Sequence, residues 1–299
     1  MGRSKRASAS HGGAQGAAAS APSMATGTQF STAGHIDTGK RRASRNGAVV
    51  FAIVVFAVAF GLVLAATQVL LGGIGFQLEA GWKTYWRTPG DSGVPPRFDF
   101  SKSENVDSVT ILWPAPAKFS DGAGGTSFGY QKQVLLPLRI ITKSPDKPVT
   151  LRASINYAVC EKLCIPVEAE AELAFRSVAS TEDSAIAAAL DTVPKPAKIG
   201  DPTPLSIRDV RREDKRVLVD VVTQDDKTAA SKDVALFAEG PTPEWALPVP
   251  KLIKREPGGV LHFAFDLDGL PSGARAEGAV LKLTVAGSGA AYEFNTPLQ

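Results

Sequence analysis

Two thiols four positions apart hold the most reactive chemistry in this chain of 299 residues: Cys160 and Cys164, in the segment Tyr157-Ala-Val-Cys160-Glu-Lys-Leu-Cys164-Ile-Pro166. A third thiolate can attack one sulfur of such a pair, form a mixed disulfide, and be displaced when the other cysteine attacks in turn. A bond between them closes a ring of only five residues. The chain-entropy model assigns such a ring about 2 kcal/mol, against about 4.7 kcal/mol for a 100-residue loop. A staple chosen for stability would join more distant segments. Tight rings can also be strained, which eases reduction. Lys162 favours a neighbouring thiolate and Glu161 opposes it, so the net sign stays open. On residue types alone three uses compete: reversible exchange, a fixed disulfide at a hairpin tip, and Cu(I) handling, to which two soft sulfurs are suited. The spacing is CxxxC, not the CxxC of thioredoxin-like helices.

Other chemistries find few residues to work with. The histidines are His11, His35 and His262, the first two in a low-complexity N-terminus. That removes a three-histidine zinc centre or a Ser-His-Asp triad from the folded part. A zinc site built on the two thiolates lacks its remaining ligands, and no Gly-rich strand-to-helix loop is present to cradle phosphates. No metal or cofactor is therefore expected. The formal charge of +3 is unevenly spread: residues 1–46 hold seven Lys or Arg and one Asp, and the remainder holds 26 basic against 29 acidic residues. The body is mildly acidic and offers no basic face for nucleic acid.

The elements that must position the cysteines read as β-structure. Val149, Leu151, Ala153, Ile155, Tyr157 and Val159 alternate with Thr150, Arg152, Ser154, Asn156 and Ala158 on the approach to Cys160. After Cys164, Val167, Ala169, Ala171, Leu173 and Phe175 alternate with Glu168, Glu170, Glu172 and Ala174. Period-2 patterning with one polar face marks antiparallel strands over a core, so the pair sits at the mouth of a hairpin. Val109–Trp113 and Gln133–Ile141 are further strands. A helix is expected over Glu182–Leu190, capped by Ser180 or Thr181, followed by a Pro-bearing linker, Thr192–Pro204. Strands resume at Arg216–Thr223, Asp233–Ala238, Val260–Leu267, Ala279–Val285 and near Tyr292–Asn295. Many short strands with Gly and Pro turns point to an all-β chain with a sandwich in each block. Trp113, Trp245 and His262 have structural readings, and the Glu168–Glu172 row reads as a solvated face.

Ala48 to Ala66 is apolar except for Gly61, follows Arg41, Arg42 and Arg45, and precedes any further charge until Glu79. Nineteen such residues rise about 28 Å as a helix, close to the bilayer core. The flanking arginines favour a cytoplasmic N-terminus, and the run is long for a signal peptide, with Leu64 a poor residue three before a cut at Ala66. An uncleaved anchor and a cleaved signal both export the body to an oxidising compartment. The division expected is a disordered basic cytoplasmic tail at 1–46, an anchor or signal at 47–71, a cysteine-bearing domain at 72–180, a short helix and linker at 181–204, and a second β-domain at 205–299.

Three pieces together resemble the N-terminal periplasmic domain of the thiol:disulfide interchange protein DsbD and its ScsB-type relatives. The first is Tyr157-x-x-Cys160-x-x-x-Cys164-Ile-Pro166 leading into an acidic alternating strand. The second is Gly81-Trp82-Lys83-Thr84-Tyr85-Trp86-Arg87 followed by Thr88-Pro89-Gly90-Asp91-Ser92-Gly93-Val94-Pro95-Pro96, and the third is Leu136-Pro137-Leu138. The resemblance covers about residues 68–178. It implies an immunoglobulin-like sandwich with Cys160 and Cys164 as exchanging sulfurs at one end. It also implies a membrane-embedded thiol reductase as donor and periplasmic thioredoxin-like proteins as acceptors. Aromatics at the cysteine end match Tyr85 and Tyr157, for which core packing is the plain alternative. A cap loop corresponds to Phe119–Phe128, where Phe119 or Phe128 would cover the pair, a plain flexible loop being the alternative. Relatives continue into a multi-span electron-conducting domain and a CxxC domain; this chain reaches Gln299 with neither, so its electrons need a separate membrane donor. Cys160 is expected to form the mixed disulfide when Cys164 is replaced by serine.

Overall fold

The computed structural model describes residues 29–33, 68–120, 124–175, 180–231 and 233–299. The described residues are all-β apart from two short helices. The first body holds β1 (Gln29–Ala33), β2 (Val69–Gln77), β3 (Lys83–Gly90), β4 (Arg97–Asp99), β5 (Val106–Ile111), β6 (Ala117–Ser120), β7 (Thr126–Gln131), β8 (Gln133–Thr142), β9 (Val149–Cys160) and β10 (Cys164–Phe175). One sheet runs β1-β2-β8-β5 and the other β10-β9-β3-β7-β6, with β4 also on β9. The alternation read along β9 is real packing. Val149, Leu151, Ala153, Ile155, Tyr157 and Val159 are buried in the space between the sheets, against Leu136, Leu138 and Ile140 of β8 and Ile74 of β2. Side chains of a strand alternate between faces, so Thr150, Arg152, Ser154 and Asn156 point outward.

The second body begins with α1 (Asp183–Asp191) and holds β11 (Lys195–Ala197), β12 (Leu205–Glu213), β13 (Arg216–Thr223), α2 (Asp226–Ala230), β14 (Ala235–Glu239), β15 (Lys251–Glu256), β16 (Val260–Asp266), β17 (Val280–Gly287) and β18 (Ala290–Pro297). Its two sheets run β11-β18-β17-β14 and β12-β13-β16-β15, enclosing their own apolar core.

Several expectations need correction. Gln29–Ala33, expected to be disordered, pairs antiparallel with β2. The apolar run Ala48–Ala66 itself lies outside the described residues, among which no helix is long and apolar enough to cross a membrane. Val69 to Leu71, assigned to the end of that segment, open β2 instead. The helix falls where expected, but its N-cap is Glu182 rather than Ser180 or Thr181. The expected linker contains β11, which pairs parallel with β18.

The two sandwiches meet through β3. Up to Tyr85 it pairs with β7 residue by residue; Trp86 to Pro89 then bulge out, and pairing resumes at Gly90 opposite Ser127. The bulge sends Arg87 into the second sandwich. Its Nε and Nη2 donate to Glu239 at 2.9 and 2.7 Å, Nη2 also donates to Glu293 at 2.7 Å, and Thr88 Oγ1 donates to Glu239 at 2.8 Å. Burial works against the Arg87 charge, but the hydrogen bonds and charges of Glu239 and Glu293 outweigh it and raise its pKa further. Beside this clamp Phe237 of β14 stands edge-on to Trp86 (5.3 Å) and Phe128 (4.6 Å), inside the first core. In the second body burial pushes the Asp220 carboxyl up, but His262 Nδ1 at 2.7 Å and the guanidinium groups of Arg208 and Arg211 outweigh that and hold it below the usual carboxylate range.

Two outcomes follow. Removing the Phe237 ring leaves a void between Trp86 and Phe128, so Phe237→Ala should cost about 3–5 kcal/mol in urea unfolding. The depressed Asp220 pKa contributes stability that is present above the unfolded carboxylate value, about 4, and is lost as pH falls through the folded one. The urea midpoint of Asp220→Asn should therefore lie below wild type at pH 7, and the gap should shrink in acid.

Candidate functional site

The hairpin β9–β10 delivers the two cysteines. In its register Cys164 lies directly opposite Cys160, with Cα atoms 4.1 Å apart and sulfurs bonded at 2.06 Å. Glu161, Lys162 and Leu163 form the exposed turn between them, closed by Glu161 N–H donating to the Leu163 carbonyl at 3.3 Å. The two cysteines are not equivalent. Cys160 is 2% exposed, whereas Cys164, one strand nearer the sheet edge, is open to solvent.

Period-2 geometry decides what surrounds them. β3 pairs with β9 so that Lys83 stands opposite Cys160. Tyr85, two residues on, shares that face, which is the outer face of the sheet, away from the main core. Tyr85, Ala158 and Cys160 form a small buried cluster of their own. The Tyr85 hydroxyl donates to Cys160 Sγ at 2.9 Å and lies 3.4 Å from Cys164 Sγ. Burial pushes the Tyr85 phenol up, so it keeps its proton and remains a donor across the physiological range. Two glycines make this placement possible. A Cβ on Gly129 would sit 1.9 Å from the Thr84 carbonyl oxygen, so only glycine lets β7 approach β3 there. Gly93 (φ +123°) lies against the Tyr85 ring, where a Cβ would come within 2.4 Å of it. The chain after β3 thus folds over the ring and holds it.

Lys83 supplies a positive charge on the same face. Its ammonium donates to Ser127 Oγ at 3.2 Å and stands 6.0 Å from the Tyr85 ring centre and 5.7 Å from that of Phe119. A cation near a thiol favours the thiolate. Sequence reasoning weighed Lys162 and Glu161 for this effect and missed Lys83, although its spacing from Tyr85 in the quoted motif places both on one face. The Glu161 side chain instead lies along Gly81.

The proposed covering residues separate. Tyr85 is at the sulfurs. Tyr157, an odd number of residues from Cys160, faces the main core and packs edge-on against Phe76 at 5.0 Å. Phe128 is buried against Phe237, turned toward the second sandwich. Phe119 is half-buried beside Lys83. Within the stretch Phe119–Phe128, Phe119 and Ser120 end β6 and Thr126 to Phe128 open its partner β7; residues 121–123 between them lie outside the described ones. The mixed disulfide assigned to Cys160 also needs revision, because the exposed cysteine is Cys164. Among the described residues no cluster of three metal-ligating side chains occurs.

This geometry suits an in-line displacement. Cys164 is the cysteine open to approach from solvent, and the Tyr85 hydroxyl is aimed at Cys160 Sγ. Residues 54–176 match the family model of the thiol:disulfide interchange protein DsbD, N-terminal. The resemblance drawn from the three motifs is thereby shown. The fold matches the crystal structure of the N-terminal periplasmic domain of ScsB from Proteus mirabilis, with TM-score 0.59 and 21% identity over 77% of this chain and 88% of that one. That coverage reaches beyond the DsbD-like segment, so the likeness in fold includes the second sandwich. No curated protein matches the chain.

In this DsbD-like domain the Tyr85 bond should strengthen when Cys160 becomes a thiolate. A hydrogen bond to a charged group contributes about 1.5–3 kcal/mol. Tyr85→Phe should therefore make the reduction potential more negative by about 30–60 mV for this two-electron couple, measured by equilibration against glutathione, with an unchanged unfolding midpoint of the second sandwich.

Proposed function

We propose that the chain carries electrons by thiol–disulfide exchange at Cys160 and Cys164, from a membrane-embedded thiol reductase to thioredoxin-like proteins of the cell envelope. The observation that carries this reading is the asymmetry of the pair: Cys164 is exposed, and Cys160 is buried beneath a hydroxyl donor. A staple needs no such difference, whereas exchange needs an entry sulfur and a stabilised leaving sulfur.

The steps balance as follows. A donor thiolate attacks Cys164 Sγ; the donor–Cys164 bond forms, the Cys160–Cys164 bond breaks, and Cys160 leaves as a thiolate beside the Tyr85 hydroxyl. The donor's second thiolate then attacks the donor sulfur bonded to Cys164; the donor's own disulfide forms, the donor–Cys164 bond breaks, and this chain is left a dithiol. In the second half Cys164 attacks an acceptor disulfide. Cys160 then attacks Cys164 Sγ, restoring the bond and releasing the acceptor with two electrons. Lys83 and Tyr85 favour the thiolate forms, and Gly93 fixes the Tyr85 ring. The body is assigned to the periplasm, as the ScsB domain is, with the apolar run Ala48–Ala66 as the export segment.

With Cys160→Ser, Cys164 remains free and exposed. This variant should accumulate a mixed disulfide with an oxidised thioredoxin-like protein, visible as a higher band on non-reducing gels, while Cys164→Ser should accumulate far less. A wild-type potential well below about −300 mV, with no adduct from Cys160→Ser, would mark the bond as structural and sink the proposal.

A further inference from the structure

We propose that Leu163 is the residue by which this site selects protein partners, seating its side chain in the apolar surface around the reactive cysteine of a thioredoxin-fold protein. This rests on the exchange reading above. Leu163 occupies the three-residue turn between the sulfurs and is 80% exposed. Turns of this kind favour residues that tolerate tight backbone or bond to it, and leucine offers neither property. It belongs to neither main core, so folding gives no account of it.

A single exposed leucine is ordinary; a group of exposed apolar residues around a reactive atom is not. Val94, next to the glycine that packs on Tyr85, is 52% exposed. Exposed apolar residues thus stand in the turn beside Cys164 and in the segment that covers Tyr85. The turn's charged residues, Glu161 and Lys162, have opposite signs, so net charge at the tip does not choose the partner.

The geometry of a mixed disulfide turns this patch into a contact. Bonded cysteines hold their Cα atoms about 4.4–6.8 Å apart. A protein bonded to Cys164 must bring its backbone that close, and the residue adjoining Cys164 in the turn is then covered. A small dithiol reaches the same sulfur without covering Leu163. Apolar burial therefore favours the protein reaction and leaves the small-molecule reaction unaffected.

The full chain is reduced in parallel by reduced thioredoxin and by dithiothreitol, and second-order rates are compared for wild type, Leu163→Asp and Leu163→Met. Leu163→Asp should lower the thioredoxin rate at least tenfold, equivalent to about 1.4 kcal/mol, and leave the dithiothreitol rate within about twofold. Leu163→Met should keep most of the thioredoxin rate. An unchanged thioredoxin rate in Leu163→Asp overturns the inference, as does an equal fall in both rates, which would mean a distorted hairpin. If neither reagent opens the wild-type disulfide, the exchange reading itself fails, and the inference with it.

Discussion

The hydroxyl of Tyr85 reaching Cys160 Sγ is the contact on which the arrangement depends. It requires a phenol buried on the outer face of a sheet, where strand residues ordinarily meet water. Burying that ring takes three separate features: a strand pairing that puts Lys83 opposite Cys160, a glycine at 129 that lets β7 close on β3, and a glycine at 93 that lets the following chain lie on the ring. Their joint effect is visible in the burial of β9. It alternates for most of its length and then becomes buried on both faces from Tyr157 to Cys160. Cys160 is thereby buried while Cys164, across the hairpin, stays exposed.

β3 connects this site to the rest of the molecule. Its first half supplies Lys83 and Tyr85, and its bulged second half supplies Trp86, Arg87 and Thr88 to the second sandwich. A bulge re-aims side chains at the cost of local pairing, and here the lost pairs with β7 are offset by the Arg87–Glu239–Glu293 cluster and the Phe237 contacts. The hairpin β6–β7 is held from both sides as well: Ser127 faces Lys83, and Phe128 faces Phe237. The second sandwich, which carries no obvious chemistry of its own, thus fixes the two elements bordering the disulfide.

Much of this was legible in the residues, and the rest had physical reasons to be hidden. The strands of β9 and β10 could be read because one face is apolar and the other polar over many residues. β3 could not, since Lys83-Thr-Tyr-Trp-Arg carries large side chains on both faces, each buried by a different neighbour. β2 was partly absorbed into the apolar run before it, because a fully buried strand and the end of a membrane segment look alike in composition. Tyr85 and Tyr157 were equal candidates by motif. Only the parity of their positions relative to the paired strand separates them, and parity needs the register. Cys160 and Cys164 were indistinguishable for the same reason: which cysteine is covered depends on what the neighbouring strand places over it.

In the proposed exchange, that difference in cover sets the chemical order. If both sulfurs were equally exposed, a partner could attack either. If both were buried, no partner could reach them. With Cys164 open and Cys160 beneath Tyr85, attack from solvent has one entry, and the thiolate it expels is retained by a hydroxyl in position to receive it. Because Cys160 is held across the hairpin from Cys164, it stays close enough to resolve the adduct. The short ring, poor as a staple, is well suited to keeping the second thiol within reach of the first.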